Sequence, residues 1–565
     1  MTGFKIIHVK EQLDCEMLRI SRRRVQIVFC AVLTVMLTLV LRICDLSIFN
    51  FGEFHHTSSS YSKSLHMRNN IVDRNGIILA STLPTASAYI NPTHFINPEE
   101  SLSMIAREID VNQKEIREKL RISKNFIWLK RHITPHEQQK LHNLGMPGVY
   151  FVKDQKRIYP HKNLFSHIIG LVDIDNNGIS GIESSFNKSL QDPNEQAVQI
   201  SLDSKIQYIV KQELENAITT HSAIGGTAIV MDVHTGELIS IVSLPDFDPS
   251  NIGNINSKKL FNQATLGVYE MGSVLKPMTL AMALDSGKIN IREHFDVSTP
   301  LKINHYQIND YRGKGGFLSV PEVLMYSSNR GVVQMIRKVG VKKQKEYLKK
   351  LGLLSKISLE IPETSSPIYP SDARWKELSS ATISFGHGIS MTPVHLVQAF
   401  SAIVNKGIFR KATLIKGNND EIEGRKVFSS NTSALMNKML RRTAEDGSAK
   451  KASFNDYLVG AKTGTAEKII NGRYNKNLNI ALCAGAFPIN DPKYSILVLI
   501  DEPKPNKINF GFATGGQVSA PVISNIVSRI APILNIAPID TTDPKIIEAL
   551  YIDYQPMYKR YADAR

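Results

Sequence analysis

The sequence contains Ser273-Val274-Leu275-Lys276, followed by Pro277 and an apolar run that stops at Gly287. This pattern predicts a turn entering a helix, because proline is tolerated in the first helical turn and glycine commonly follows a helix end. Lys276 would then lie one turn after Ser273, on the same helix face. A serine hydroxyl attacks only when a base takes its proton. We therefore expect Lys276 to be held partly neutral by burial and by a nearby positive charge such as Lys462.

A second motif, Ser327-Ser328-Asn329, falls between two helix-like stretches and is predicted to form a loop. A hydroxyl and an amide at this point suit proton relay and substrate binding. We expect Ser327 to pass a proton between Lys276 and a leaving amine, and Asn329 to hold a substrate amide.

The third motif is Lys462-Thr463-Gly464-Thr465, which follows the apolar residues Tyr457-Leu458-Val459-Gly460-Ala461 and is predicted to lie on a strand. Strand alternation places Thr463 and Thr465 on one face. Gly464 allows the backbone of a peptide to lie close, as an added strand would, and the Lys462 charge suits a terminal carboxylate. The motif therefore predicts the wall of a groove for a peptide C-terminus.

The order SxxK, SxN and KTG resembles the signature of penicillin-binding proteins and serine β-lactamases. From about residue 20 to about residue 538 the chain resembles the division-specific class B penicillin-binding proteins, the septal peptidoglycan D,D-transpeptidases. Residues 68–80 are similar to the RGxIxDRNGxxLA box of that family. Asn69 stands where the box usually has glycine, and the junction from Leu190 to Gln199 is shorter than expected.

The resemblance implies a site without metal or cofactor. Its catalytic residues would be Ser273, Lys276, Ser327 and Asn329, and its substrate-binding residues Lys462, Thr463, Gly464 and Thr465. The backbone N–H groups of Ser273 and Thr465 would stabilise the oxyanion. Donor and acceptor stem peptides would be the substrates, and β-lactams the inhibitors. A membrane-embedded glycosyltransferase and other division proteins are implied as partners.

Composition agrees with an envelope protein. The 565 residues are 42% hydrophobic, enough for two or more domains with real cores. A net charge of +16 raises the question of nucleic-acid binding, but no Lys/Arg block interleaved with aromatic residues marks such a face. Anionic lipids and cell-wall polymers account for the basic balance equally well.

The predicted fold class is α+β, with a membrane anchor, an elongated pedestal and a transpeptidase domain. The apolar residues 25–46 predict one transmembrane helix, and Arg22-Arg23-Arg24 before it predicts a cytoplasmic N-terminus. This places the catalytic domain outside the cytoplasm, on a single-pass protein of the cytoplasmic (inner) membrane. The predicted ranges are a cytoplasmic tail (1–24), the anchor (25–46), a dimerisation-type pedestal (47–197), an antiparallel sheet flanked by helices that carries the site (198–538), and a C-terminal tail (539–565).

Other functions remain open at the level of sequence. A D,D-carboxypeptidase differs only in using water as acceptor, and an elongation-type transpeptidase would carry the same motifs. A β-lactamase needs a base for a deacylating water and seldom carries an anchor with a pedestal. A β-lactam sensor would need a cytoplasmic output domain, and a non-catalytic division scaffold would tolerate Ser273→Ala.

Overall fold

The computed structural model describes residues 23–24, 26–41, 66–123, 125–251, 253, 256–311, 313–417, 424–454, 456–470 and 472–553. The chain divides into two units, Met1–His66 and Met67–Arg565. In the first unit, residues 26–41 are helical. No helix within the described ranges has both the length and the apolar character to cross a membrane. Residues 25 and 42–46 of the predicted anchor lie outside those ranges, as do residues 1–22 and 554–565 of the predicted tails.

The second unit begins with a small mixed sheet in the order β3-β2-β1-β5, in which β4 also pairs with β2. Its strands are β1 (Ile71–Val72), β2 (Ile78–Ile90), β3 (Ile127–Ile133), β4 (Val149–Ile158) and β5 (Val198–Gln199). Its α-helices are Pro98–Glu108, Gln113–Ile122, Pro135–Asn143, Ser166–Ile169, Gly181–Ser185 and Asn187–Gln191, and its 3-10 helices are Pro92–His94 and Lys162–Phe165.

The sequence near Pro98 to Leu120 predicts a helical stretch, and the chain forms two helices there. The side chain of Asn112 accepts hydrogen bonds from the backbone N–H groups of Lys114 and Glu115. Asparagine in this role starts a new helix rather than continuing the previous one. The helix expected near Pro135 is confirmed, and Thr134 and Glu137 form a capping box at its start.

Asn69 adopts no left-handed backbone conformation, so the glycine usual at this position is not needed for its φ angle. Its side-chain amide donates to the carbonyl oxygens of Ser189, Asp192 and Glu195 at 3.3, 2.8 and 3.0 Å. Asp192 and Glu195 lie in the Leu190–Gln199 junction, which looked short in the sequence, and Ser189 comes directly before it. Asn69 therefore fastens the short junction onto the pedestal sheet.

The rest of the unit is built on a five-stranded antiparallel sheet in the order β16-β17-β18-β6-β7. Its strands are β6 (Gly225–Asp232), β7 (Leu238–Leu244), β16 (Gly460–Ile470), β17 (Arg473–Phe487) and β18 (Tyr494–Asp501). Short strand pairs surround it: β8 (Tyr269–Glu270) with β13 (Ser390–Met391), β9 (His294–Asp296) with β12 (Phe317–Ser319), β10 (Leu301–Ile303) with β11 (Tyr306–Ile308), and β14 (Ile408–Phe409) with β15 (Arg425–Lys426).

Helices cover both faces of this sheet, as the sequence predicted. The α-helices are Ser204–Thr220, Lys276–Asp285, Val320–Met325, Asn329–Val339, Val341–Lys350, Glu377–Ser384, Pro393–Val404, Ser430–Glu445, Ser519–Ile530 and Pro544–Leu550, and the 3-10 helices are Ser257–Leu260, Gly272–Leu275 and Lys450–Ala452. Helices Ser204–Thr220 and Ser519–Ile530 share one apolar core with one face of the sheet. Helices Lys276–Asp285, Pro393–Val404 and Ser430–Glu445 contribute to a larger core on the other.

Two strand boundaries differ from the prediction. The apolar residues on either side of His234-Thr235-Gly236 predict a hairpin. Strands β6 and β7 confirm it, with Gly236 in the turn at a φ of 84°. The strand expected from Tyr457 instead begins at Gly460, because the pairing of β16 with β17 ends at Gly460 and Ala486, and Tyr457 pairs with Phe454 instead. The strand expected from Ile480 begins at Arg473, because β16 and β17 continue as a two-stranded hairpin beyond the edge of β18.

Candidate active site

Ser273 lies in the 3-10 turn Gly272–Leu275, which leads directly into the helix Lys276–Asp285. The prediction of a turn entering a helix is therefore confirmed, with Pro277 in the first helical turn, where its missing N–H has no intrahelical partner to lose. Gly272 has a φ of 50°, and a β-carbon there would lie 2.8 Å from the carbonyl oxygen of Thr465. The turn that carries Ser273 is thus in direct contact with β16, and only glycine, which has no side chain, fits at this contact.

Lys276 is completely buried beneath this turn. Its Nζ donates to the backbone carbonyl of Ser327 and, at 3.0 Å, to the Ser327 hydroxyl. In the described part of the chain, no hydrogen bond joins Lys276 to the Ser273 hydroxyl. Burial and the charge of Lys462 lower the pKa of Lys276 well below the ordinary lysine value, while Asp310 opposes the shift. The neutral amine that a base requires is therefore favoured at this position.

The loop that carries the second motif is shaped by Asp310. Ser327 has a left-handed φ of 58°, and Ser328 caps the helix Asn329–Val339 by accepting from the N–H of Gly331. Asp310 accepts from the Ser328 hydroxyl at 2.8 Å and from the N–H of Asn329 at 2.6 Å. Asn329 was expected in the loop but is the first residue of the helix. The loop thus holds the Ser327 hydroxyl against Lys276.

Lys462 is the second completely buried lysine of the site. It lies on β16, where its Nζ donates to the carbonyl of Thr463 at 2.8 Å and to the hydroxyl of Ser448 at 3.3 Å. Burial lowers its pKa to about 7, and Cys483 on β17 opposes the shift. Near neutral pH, Lys462 is therefore poised between its charged and neutral forms.

The other residues of the third motif, Thr463, Gly464 and Thr465, also lie on β16. Thr463 donates to the carbonyl of Ser448 at 3.4 Å, and the Thr465 hydroxyl accepts from the N–H of Gly515 at 3.1 Å. Gly464 packs against Val274, where a β-carbon would lie 2.7 Å from that side chain. Because β16 is the edge of its sheet, a peptide can add beside it.

Sequence reasoning missed three polar residues of this site. Asp310 and Ser448 lie in stretches without a motif. Tyr474 lies near the start of β17, in the hairpin that β17 forms with β16. Tyr474 donates to both carboxylate oxygens of Glu270, at 3.1 and 3.2 Å. Glu270 also accepts from the N–H of Gly388, and burial raises its pKa. From the sequence, Glu270 could be either a buried partner or a carboxylate at a helix start, and the structure confirms the buried partner.

His387 lies between the rings of Phe385 and Tyr474, at 5.2 and 6.0 Å between ring centroids. Burial and the nearby Lys276 lower the pKa of its imidazole, so the ring is neutral at pH 7. It lines the site next to Ser273, because the preceding Gly386 accepts from the N–H of Gly272 at 3.2 Å. The sequence shows no aspartate partner for His387, which predicts that it lines the groove and is not the base of a triad, and this position agrees with that prediction.

Comparisons with known proteins place these features in context. Residues 226–528 match the penicillin binding protein transpeptidase domain, and residues 64–219 match the penicillin-binding protein dimerisation domain. The chain is 34% identical to the probable peptidoglycan D,D-transpeptidase FtsI of Caulobacter vibrioides, over 83% of this chain and 82% of that protein. It is 29% identical to the peptidoglycan D,D-transpeptidase FtsI of Escherichia coli K12, over 83% and 84% of the two chains.

The fold agrees with that of a solved structure. The crystal structure of penicillin binding protein 3 from Mycobacterium tuberculosis in complex with ampicillin superposes with a TM-score of 0.68. The match covers 85% of this chain and 98% of that chain, at 22% sequence identity. At this level of identity, the likeness concerns the fold.

Proposed function

Because the chain belongs to the family of penicillin-binding protein transpeptidases, we propose that it crosslinks peptidoglycan stem peptides of the septal cell wall through an acyl-enzyme on Ser273. The enzyme is a serine-type peptidoglycan D,D-transpeptidase. The observation that carries the proposal is the buried Lys276, whose lowered pKa and hydrogen bond to Ser327 suit a base next to Ser273.

In the first half of the reaction, the Ser273 hydroxyl attacks the carbonyl of the penultimate D-alanine. Lys276 takes the hydroxyl proton, and the N–H groups of Ser273 and Thr465 stabilise the oxyanion. The bond to the terminal D-alanine then breaks, and Ser327 relays the proton from Lys276 to the leaving amine. The existing hydrogen bond between Lys276 and the Ser327 hydroxyl supports this relay.

The donor peptide is held as an added strand along the open edge of β16. Its terminal carboxylate pairs with Lys462 and accepts from Thr463, and Asn329 binds a substrate amide. Ser448, which contacts both Lys462 and Thr463, orients this end of the groove. The space beside Gly464 is filled by Val274 and the carbonyl of Met271, so this glycine lets the Ser273 turn, rather than the substrate backbone, lie close to the strand.

In the second half, an amine of a neighbouring stem peptide attacks the acyl-enzyme, which forms the crosslink and frees Ser273. A β-lactam enters as a mimic of the donor, and its opened ring remains bonded to Ser273. The same acyl-enzyme would release a carboxypeptidase product if water replaced the amine.

The site is further proposed to lie outside the cytoplasm, on a chain anchored in the cytoplasmic (inner) membrane by residues 25–46. The apolar sequence of that segment and the arginines before it support this topology. The septal role, and a glycosyltransferase with other division proteins as partners, are proposed from the resemblance of the sequence to division-specific class B penicillin-binding proteins. The relatives named peptidoglycan D,D-transpeptidase FtsI support the transpeptidase activity. Deletion of residues 1–46 should move the protein from the membrane fraction to the soluble fraction, and retention in the membrane would contradict the anchor.

The acyl-enzyme is tested by incubating the purified protein and its Ser273→Ala variant with a fluorescent penicillin. Labelling and its decay are followed on gels and by intact mass. We expect a long-lived adduct that is absent from the variant. Rapid loss of the adduct would indicate a β-lactamase instead, and the absence of any adduct would leave a non-catalytic scaffold.

A further inference from the structure

Glu467 lies on β16, the strand along which the donor peptide is proposed to bind. Side chains two residues apart share a face of a strand, so Glu467 faces the same way as Thr463 and Thr465. The proposed donor places its terminal carboxylate at Lys462 and its reacting carbonyl at Thr465. At about 3.4 Å per residue, Glu467 lies about 7 Å farther along the strand, beside the donor residue that precedes the two D-alanines.

The surroundings of Glu467 form the negative end of the groove. Burial and the charges of Glu270 and Glu467 raise the pKa of Tyr474, and the Glu467 charge also acts on His387. The neighbouring Lys468 is neutralised on the other face of the strand by Asp501 and Glu502.

Glu467 itself is partly exposed. Among the residues that the structure describes, it forms no hydrogen bond and no ion pair. His387 is neutral, so it does not compete for this carboxylate as a cation. One end of the groove therefore offers Lys462, which can carry a positive charge near neutral pH, and the other offers a carboxylate that is free to bind a cation.

We propose that Glu467 binds the side-chain ammonium of the donor stem-peptide residue that precedes the two D-alanines, with Tyr474 forming the adjoining wall. This inference rests on the proposed transpeptidase function. The crosslinking step needs an amine on a neighbouring stem peptide, and the proposal places that amine on the side chain of the residue before the two D-alanines. Once that amine has been used in a crosslink, it is an uncharged amide. Glu467 would therefore favour donors whose own amine is still free.

The test compares two synthetic pentapeptides as competitors of penicillin labelling on the purified full chain. One carries lysine before the two D-alanines, and the other carries Nε-acetyllysine, which has no charge. We expect the lysine peptide to protect Ser273 at an about fivefold lower concentration, the effect of a partly exposed ion pair. Glu467→Gln should make the two peptides equivalent, whereas Glu467→Asp should retain part of the preference.

Glu502→Gln is the matched control, because it removes a nearby carboxylate that faces Lys468 instead of the groove. It should retain the preference for the lysine peptide. Equal protection by both peptides, or by neither, in the unmodified protein would overturn the inference, and so would a preference that survives in Glu467→Gln. In each of these cases labelling of Ser273 persists, whereas failure of the proposed function itself would abolish labelling of the unmodified protein.

Discussion

Two buried lysines, Lys276 and Lys462, give the site its chemistry. Burial disfavours the charged form of each, and the charge on Lys462 further disfavours a proton on Lys276. The arrangement favours a neutral amine on Lys276, as its proposed role as a base requires, close to Lys462, the proposed anion-binding group. It also destabilises the fold, because an unfolded chain keeps both lysines hydrated and charged.

The pH dependence of stability follows from Lys462. Its pKa is about 7 in the folded protein and near 10.5 when unfolded, so the unfolded chain binds more protons between these values. The Lys462 contribution to the free energy of unfolding therefore rises as the pH rises through this window. Between pH 7 and pH 9, the native protein should gain about 2 kcal/mol relative to Lys462→Met.

This gain is measured by urea unfolding of both proteins at the two pH values. Lys450→Met, which removes an exposed lysine, is the control and should follow the native protein. If the stability of Lys462→Met changed with pH in the same way as that of the native protein, the lowered pKa of Lys462 would be wrong.

At the scale of elements, the site depends on glycines that allow three segments of the chain to pack backbone against backbone. Gly272 approaches the backbone of Thr465, and Gly386 lies so close to Gly272 that a β-carbon would overlap the Gly272 carbonyl. Gly515 likewise meets the carbonyl of Gly464. These contacts hold the Ser273 turn, the Gly386–Gly388 loop and β16 together without any side chain between them.

Gly386→Ala tests this packing. Gly386 has a φ of 91°, and its added methyl group would meet backbone atoms that cannot move aside. We expect a loss of about 3 kcal/mol in stability and penicillin labelling at least about tenfold slower. Thermal unfolding and labelling rates provide the measurement.

Gly287→Ala is the control, since Gly287 has a φ of 67° but no neighbour within 4 Å of the added carbon. It should cost about 1 kcal/mol and leave labelling unchanged. Equal effects of the two substitutions would show that backbone strain, and not the packing of backbone against backbone, is responsible.

At the scale of the whole molecule, the pedestal is held by a buried carboxylate between two arginines. Glu183 accepts from Nε of Arg68 and from Nε of Arg157, each at 2.7 Å, and all three side chains are buried. Arg157 also donates to the carbonyl of Asn69 and to the hydroxyl of Thr82. The group joins the start of β1, two long strands and the helix Gly181–Ser185.

Glu183→Gln should be strongly destabilising, because it leaves two buried guanidinium groups without their carboxylate. We expect a loss of about 4 kcal/mol, measured by urea unfolding. Glu99→Gln breaks the exposed pair with Arg117 and should change stability by less than about 1 kcal/mol. A small effect of Glu183→Gln would mean that water reaches the cluster.

Local sequence determined the chemistry of the catalytic groups and much of their secondary structure. The turn at Ser273 and the hairpin β6–β7 depend on residues close together in the chain, so glycine, proline and alternation were sufficient to predict them. The three motifs predicted which side chains react, because few other functions need those groups in that order. The strand limits near Tyr457 and Ile480 could not be predicted, since burial and partner strands decide them.

Only the tertiary structure decided which groups surround those side chains. Asp310 and Ser448 contact motif residues, and Tyr474 and Glu467 act on the neighbouring Glu270 and His387. All four are polar residues of ordinary types that only folding brings to the site. The lowered pKa values of Lys276 and Lys462 likewise require burial, which no local pattern specifies. The sequence thus determined which groups can react, and the packing of distant segments decided their charge, their orientation and the shape of the groove.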